Sequence, residues 1–114
     1  ARESPFGASP WVGRLKEKTH YYSNGCVDHR KVEILALTTG ERGYVPIIVG
    51  WRRASPQHRN EPHFLRDDDE LSAAARKSAC VMITGTPIVY AYQGYGGAEA
   101  YAIQATSITP ARCP

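Results

Sequence analysis

With 114 residues, 42% hydrophobic and 22% charged, the chain has the length and composition of one folded domain; disorder and a second core are both excluded as defaults. The formal net charge of +3 is mild, and with acids interspersed it does not by itself mark a nucleic-acid binder. No apolar run approaches a membrane span and no signal peptide or lipidation motif is visible, so an exported protein would be present here as its mature chain.

Residues 1–18 mix proline, glycine and charge around Trp11 and read as an irregular N-terminal arm. Thr19–Ser23 reads as a short strand in which Tyr21 and Ser23 point to one face and Tyr22 to the other. Asn24-Gly25 is a strong turn signal that ends it. Lys31–Thr38 and Tyr44–Trp51 are apolar, β-branched runs separated by the turn residues Thr39–Gly43, and together they read as a hairpin. Pro46 lacks an amide donor and belongs at a strand's start or edge. Residues 52–66 are polar, proline-punctuated and aperiodic, which predicts a long exposed loop.

Asp67 with Glu70 fits a capping box, and the acidic run 67–70 suits the amino end of a helix. Leu71, Ala75, Ser78 and Met82 recur at helical spacing, while Gly85 and Pro87 stop the pattern, predicting a helix over about 68–83. Small residues cover most of its surface. Thr86–Gln93 and Ala100–Thr109 are two further strands, joined by the glycine-rich Gly94–Gly97. Strand, strand, strand, helix, strand, strand is the order of an OB fold. The fold class is therefore mainly β with one helix (α+β): a five-stranded antiparallel barrel capped by a helix between strands 3 and 4, with residues 1–114 as one domain.

Of the histidines, His20 and the pair Asp28-His29 could supply the acid and base of a small secreted nuclease-like enzyme. No motif links them to each other or to His58 and His63, so surface histidines are the expected reading. The sequence has no HExxH and no clustered ligands, and Asp67–Asp69 lacks the spacing of a calcium loop; helix capping accounts for that run. No metal and no cofactor are expected. Trp51, Arg52, Arg53 and Arg59 form a candidate edge for single-stranded nucleic acid, because OB barrels stack bases on aromatic side chains. Nearby acids dilute that edge. The seven tyrosines are mostly expected to fill the barrel or an interface.

Trp11-Val12-Gly13, then Lys18-Thr19, then Tyr21-Tyr22-Ser23, resembles the amino end of the B subunits of subtilase cytotoxin and of the pertussis-like typhoid toxin. Thr84-Gly85 ahead of Ile88–Gln93 is similar to the corner that ends the family's helix, and Cys113 is similar to its closing cysteine. The likeness covers about 11–114 in short motifs whose order carries it. It implies an OB-fold B subunit of an AB5 toxin: a secreted, non-enzymatic homopentamer that binds sialylated host-cell surface glycans and delivers a catalytic A subunit. It excludes nucleic acid as partner and involves no membrane insertion. By that resemblance Tyr21 and Ser23 line the sugar pocket, with Tyr22 beside them. Ser23 would hydrogen-bond the acidic sugar's carboxylate and Tyr21 would pack on the ring. The helix would line the central pore, where Arg76 or Lys77 would meet the A subunit. The arm before Trp11 and the loop 52–66 are longer than the family's pattern, and Cys26 and Cys80 have no counterparts in it. Cys26 with Cys80 is one pairing open to the chain, leaving Cys113 free or joined elsewhere.

Overall fold

Trp11, Gly13 and Leu15 are buried while Val12 and Arg14 are exposed, the period of two required of a strand with one face on a core. The first strand therefore starts inside the stretch expected to be an irregular arm. The computed structural model describes residues 6–23, 29–38, 43–53, 60–93 and 98–114, and for 22, 23, 29, 30, 53, 60, 91–93 and 98 it describes the backbone alone. The turn signals at 24–25 and 94–97, most of that at 39–43, and Cys26, Asp28, His58 and Arg59 lie outside the described residues. The elements run β1 (Trp11–Ser23), β2 (His29–Thr38), β3 (Val45–Arg53), β4 (Asn60–Phe64), α1 (Asp69–Arg76), β5 (Cys80–Gln93) and β6 (Ala98–Pro110).

Five of the strands close into a barrel. β1 pairs with β2, β2 with β3, β3 with β6, β6 with β5, and β5 returns to β1. All these pairings are antiparallel except β3 with β6, where Ile47 faces Ile103 in a parallel register. The fold is an OB-like barrel with one extra strand. That strand, β4, lies within the expected loop and corrects it. Beyond Pro46, the edge of β3 turns from β2 to β4, where Ile48 pairs with Phe64 and Trp51 with Pro62. Leu65 then donates to the Ile47 carbonyl and accepts from the Leu35 amide, wedging the chain between β2 and β3. Among the described residues β4 pairs with β3 alone, so Pro62 sits on an edge strand, which tolerates a residue without an amide donor.

Residues 34–37 of β2 are buried on both faces. Leu35 and Leu37 enter one cluster with Trp11, Leu15, Ile47, Val81, Ile83 and Ile103, while Ile34 and Ala36 enter a second with Ile48, Phe64 and Ala102. Removing a side chain of that size from water contributes about 1.5–3 kcal/mol. Leu71, Ala74 and Ala75 attach α1 to the first cluster.

The helix is shorter than its sequence spacing predicts. Asp68, rather than Asp67, caps it, accepting from the Leu71 amide at 2.9 Å. Its far end is set at Lys77 and by Ser78, whose φ of 51° leaves the helical region. Cys80–Ile83 pair instead with Arg14–Trp11 of β1, so Met82 belongs to a strand. Gly85 also lies in β5, beside an irregularity in its pairing with β6. A Cβ there would collide with the Gln104 carbonyl oxygen, a backbone atom that cannot swing aside. Gly85→Ala is expected to cost about 1–3 kcal/mol, as overpacking does. An unchanged urea midpoint would mean that the β5–β6 backbone yields freely.

Cys80 and Cys113 form a disulfide with a Cα–Cα distance of 5.7 Å. This corrects the pairing of Cys26 with Cys80. The bridge joins the first residue of β5 to the segment following β6, where the Ala111 amide also donates to the Cys80 carbonyl at 3.0 Å.

Candidate functional site

β1 changes character along its length. Trp11–Gly13 pair with β5, Arg14 pairs with both β5 and β2, and from Leu15 onward the strand pairs with β2 up to Ser23↔His29. The burial pattern slips in the same stretch, so that Leu15 and His20 are both buried although five positions apart. The slip puts His20 inward and Tyr21 outward. Tyr21 is 65% exposed, the most open of the large apolar and aromatic side chains described.

Directly opposite Tyr21 in the register is Lys31, also exposed. Side chains paired in this way share a face and stand within contact range. Two residues back on that face, Thr19 Oγ1 donates to Glu33 Oε1 at 2.8 Å. An aromatic ring, an ammonium group and a hydroxyl–carboxylate pair thus share one open face of the β1–β2 ribbon. Ser23 lies two residues beyond Tyr21 at the strand's end; the side chains of Tyr22 and Ser23 fall outside what is described. Lys31 and Glu33 are the members of this group that sequence reasoning passed over. Their places follow from the register of β1 with β2, which no local spacing reveals.

The inward neighbour gives the face its rigidity. His20 is 8% exposed, which corrects the expectation of a surface histidine. Its Nδ1 lies 2.9 Å from the Tyr44 hydroxyl and its Nε2 2.6 Å from the Tyr90 hydroxyl. A neutral imidazole suits this arrangement, donating at one nitrogen and accepting at the other. The ring also meets Phe64, Tyr44 and Tyr90 edge-on, with centroids 5.3–6.0 Å apart. Burial lowers the His20 pKa and raises that of Tyr44. β1, β4, β5 and the residue leading into β3 are thereby tied around one ring.

Trp51, Arg52 and Arg53 lie in β3. Trp51 is 43% exposed, with Val49 also open on this strand. Arg52 Nε is engaged at 2.9 Å by Glu61 Oε1, whose side chain is 4% exposed. A guanidinium held by a buried carboxylate is a weak phosphate ligand, so this edge offers an aromatic surface with one of its cations committed. His63 is exposed opposite Gly50. His29 is described by its backbone alone. Arg76 ends α1 and lies 3.7 Å from Glu17 Oε1 of β1, and Lys77, the C-cap, is exposed. Tyr21 is in β1, whereas Arg76 ends α1 and Lys77 caps it. Among the described residues no group of three or more His, Cys, Asp or Glu could hold a metal ion, and no helix is long and apolar enough to cross a membrane.

The fold and this face define a small OB-like barrel with an added edge strand and an open aromatic ribbon. No protein-family model matches the chain, and neither does any curated protein or solved structure.

Proposed function

We propose that the chain is a secreted, non-enzymatic glycan-binding subunit of AB5-toxin type, which assembles as a homopentamer, engages sialylated host-cell glycans through Tyr21, Ser23 and Lys31, and delivers a catalytic A subunit. The observation that carries this reading is the solvent-open ring of Tyr21 with the Lys31 ammonium opposite it on a braced strand. Sugar rings present an apolar face that stacks on an aromatic side chain, and an acidic sugar adds a carboxylate that a neighbouring ammonium attracts. Tyr22 and Ser23 complete the stretch, with the Ser23 hydroxyl as hydrogen-bond partner of that carboxylate. A site this shallow is weak, about −4 kcal/mol for millimolar affinity. Five copies on one surface would gain roughly 10²–10⁴ by avidity. Arg76 and Lys77 are then the residues offered to the A subunit.

On a sialylated-glycan array, Tyr21→Ala and Ser23→Ala should each abolish binding while native mass spectrometry still reports a five-fold assembly. Undiminished array binding by both variants would remove this face from the function. A monomer whose binding to single-stranded nucleic acid falls steeply with salt and depends on Trp51 would favour the OB-fold nucleic-acid reading instead.

A further inference from the structure

A second concavity lies on another part of the molecule, between α1, the start of β5 and the end of β6. It has a volume of about 320 Å³, at the lower end of the roughly 300–1,000 Å³ range typical of ligand pockets. Leu71 and Ala74 of α1, Val81 of β5 and Ile108 of β6 supply an apolar floor, and Asp68 and Glu70 stand at its helical rim. No cationic side chain is among its described lining residues.

Asp68 is fixed by its bond to the Leu71 amide, and Glu70 is exposed. Asp67 and Asp69 adjoin them, although Arg66, 3.3 Å from Asp67, offsets one charge. The remaining carboxylates outweigh the roughly half positive charge of a helix amino end. The opposite wall is held as firmly. The Cys80–Cys113 disulfide and the Ala111-to-Cys80 hydrogen bond fix the end of β6, where Thr109 and Pro110 face the groove. A groove whose two walls are fixed before binding spends little free energy on ordering them.

We propose that this groove docks a short peptide segment of a partner protein, one aliphatic side chain entering the floor while an adjacent Arg or Lys meets Glu70 and Asp68. The apolar floor selects the aliphatic group and the acidic rim selects the cation. Neither feature alone would distinguish such a segment from other apolar or basic ones. The groove stands apart from the Tyr21 face, and its test involves no sugar.

The test is fluorescence anisotropy at low ionic strength with three labelled pentapeptides: glycine-arginine-leucine-arginine-glycine, its counterpart with glutamates for arginines, and its counterpart with glycine for leucine. Saturable binding of the first, at least about tenfold tighter than either counterpart, is the expected result, since the wrong charge or a lost anchor each forfeits at least about 1.4 kcal/mol. Glu70→Lys and Thr109→Arg change exposed rim side chains, and each should weaken the first peptide by a similar factor at an unchanged melting temperature. No saturable binding, equal binding of the three peptides, or variants that bind as well as the parent chain would each overturn the proposal. The peptide series is run on the unaltered chain, so it decides the matter even if a variant fails to fold.

Discussion

Replacing Cys113 by serine should lower the unfolding free energy by about 4 kcal/mol and the melting temperature by roughly 15 °C. The bridged cysteines are 33 residues apart, and closing a loop of that size in the unfolded chain accounts for about 4 kcal/mol in the chain-entropy treatment. A domain of this length unfolds with an entropy of about 0.24 kcal/mol per kelvin, which converts that loss into the stated shift. The cost is large against a total stability of about 5–15 kcal/mol. Scanning calorimetry of the oxidised chain, the reduced chain and Cys113→Ser checks it. All but the oxidised chain should melt early and together. An oxidised chain melting with the variant would show that the bridge contributes no stability.

The second large effect is expected at His20. His20→Ala removes the ring that Phe64, Tyr44 and Tyr90 enclose and takes a partner from two tyrosine hydroxyls. Cavity and lost hydrogen bonds together should cost about 2–4 kcal/mol. The same burial makes stability depend on pH. Because burial lowers this pKa from the ordinary 6.5, the unfolded chain takes up the proton first. The contribution of His20 is then complete above pH 6.5 and declines as pH falls from there towards the folded-state value. The slope cannot exceed about 1.4 kcal/mol per pH unit for one proton. His20→Phe keeps the ring packing and abolishes the titration. Urea midpoints between about pH 7.5 and 5 should therefore fall more steeply for the parent chain than for His20→Phe. Parallel falls would show that His20 titrates alike in both states. Lys18, whose ammonium lies 5.8 Å from the Tyr44 ring centroid, is a charged group facing this cluster.

The barrel was legible where apolar residues run without interruption. Lys31–Thr38 and Tyr44–Trp51 match β2 and β3 closely, since residues 34–37 of β2 pack on both faces and need a continuous apolar run. Trp11-Val12-Gly13-Arg14-Leu15 also alternates, but glycine in an inward position and charge in outward ones mimic an irregular arm. Gly13 is there for space, because a Cβ would run into the Thr38 carbonyl oxygen. β4 was hidden by Pro62, which is admissible only on an edge that the sequence does not announce. The helix pattern ran on into Met82 because both a strand and a helix put apolar residues at intervals, and pairing with β1 decides between them. At the site, the outward turn of Tyr21 depends on the slip in burial between Leu15 and His20, and it, the burial of His20 and the position of Lys31 are set by residues distant in sequence.

The parallel register of β3 with β6 has a consequence for synthesis. Ile47 has its partner at Ile103, and Trp11 has its partner at Ile83. Most of the chain must therefore leave the ribosome before the aliphatic side chains of β2 and β3 are covered. Topologies that depend on such distant pairings fold in milliseconds to seconds rather than microseconds. During that interval the nascent β2–β3 ribbon is the segment a chaperone would hold. Cys113 emerges after every strand has been made. The bridge therefore cannot form until the last strand is made, and once formed it fixes the segment after that strand to the start of β5.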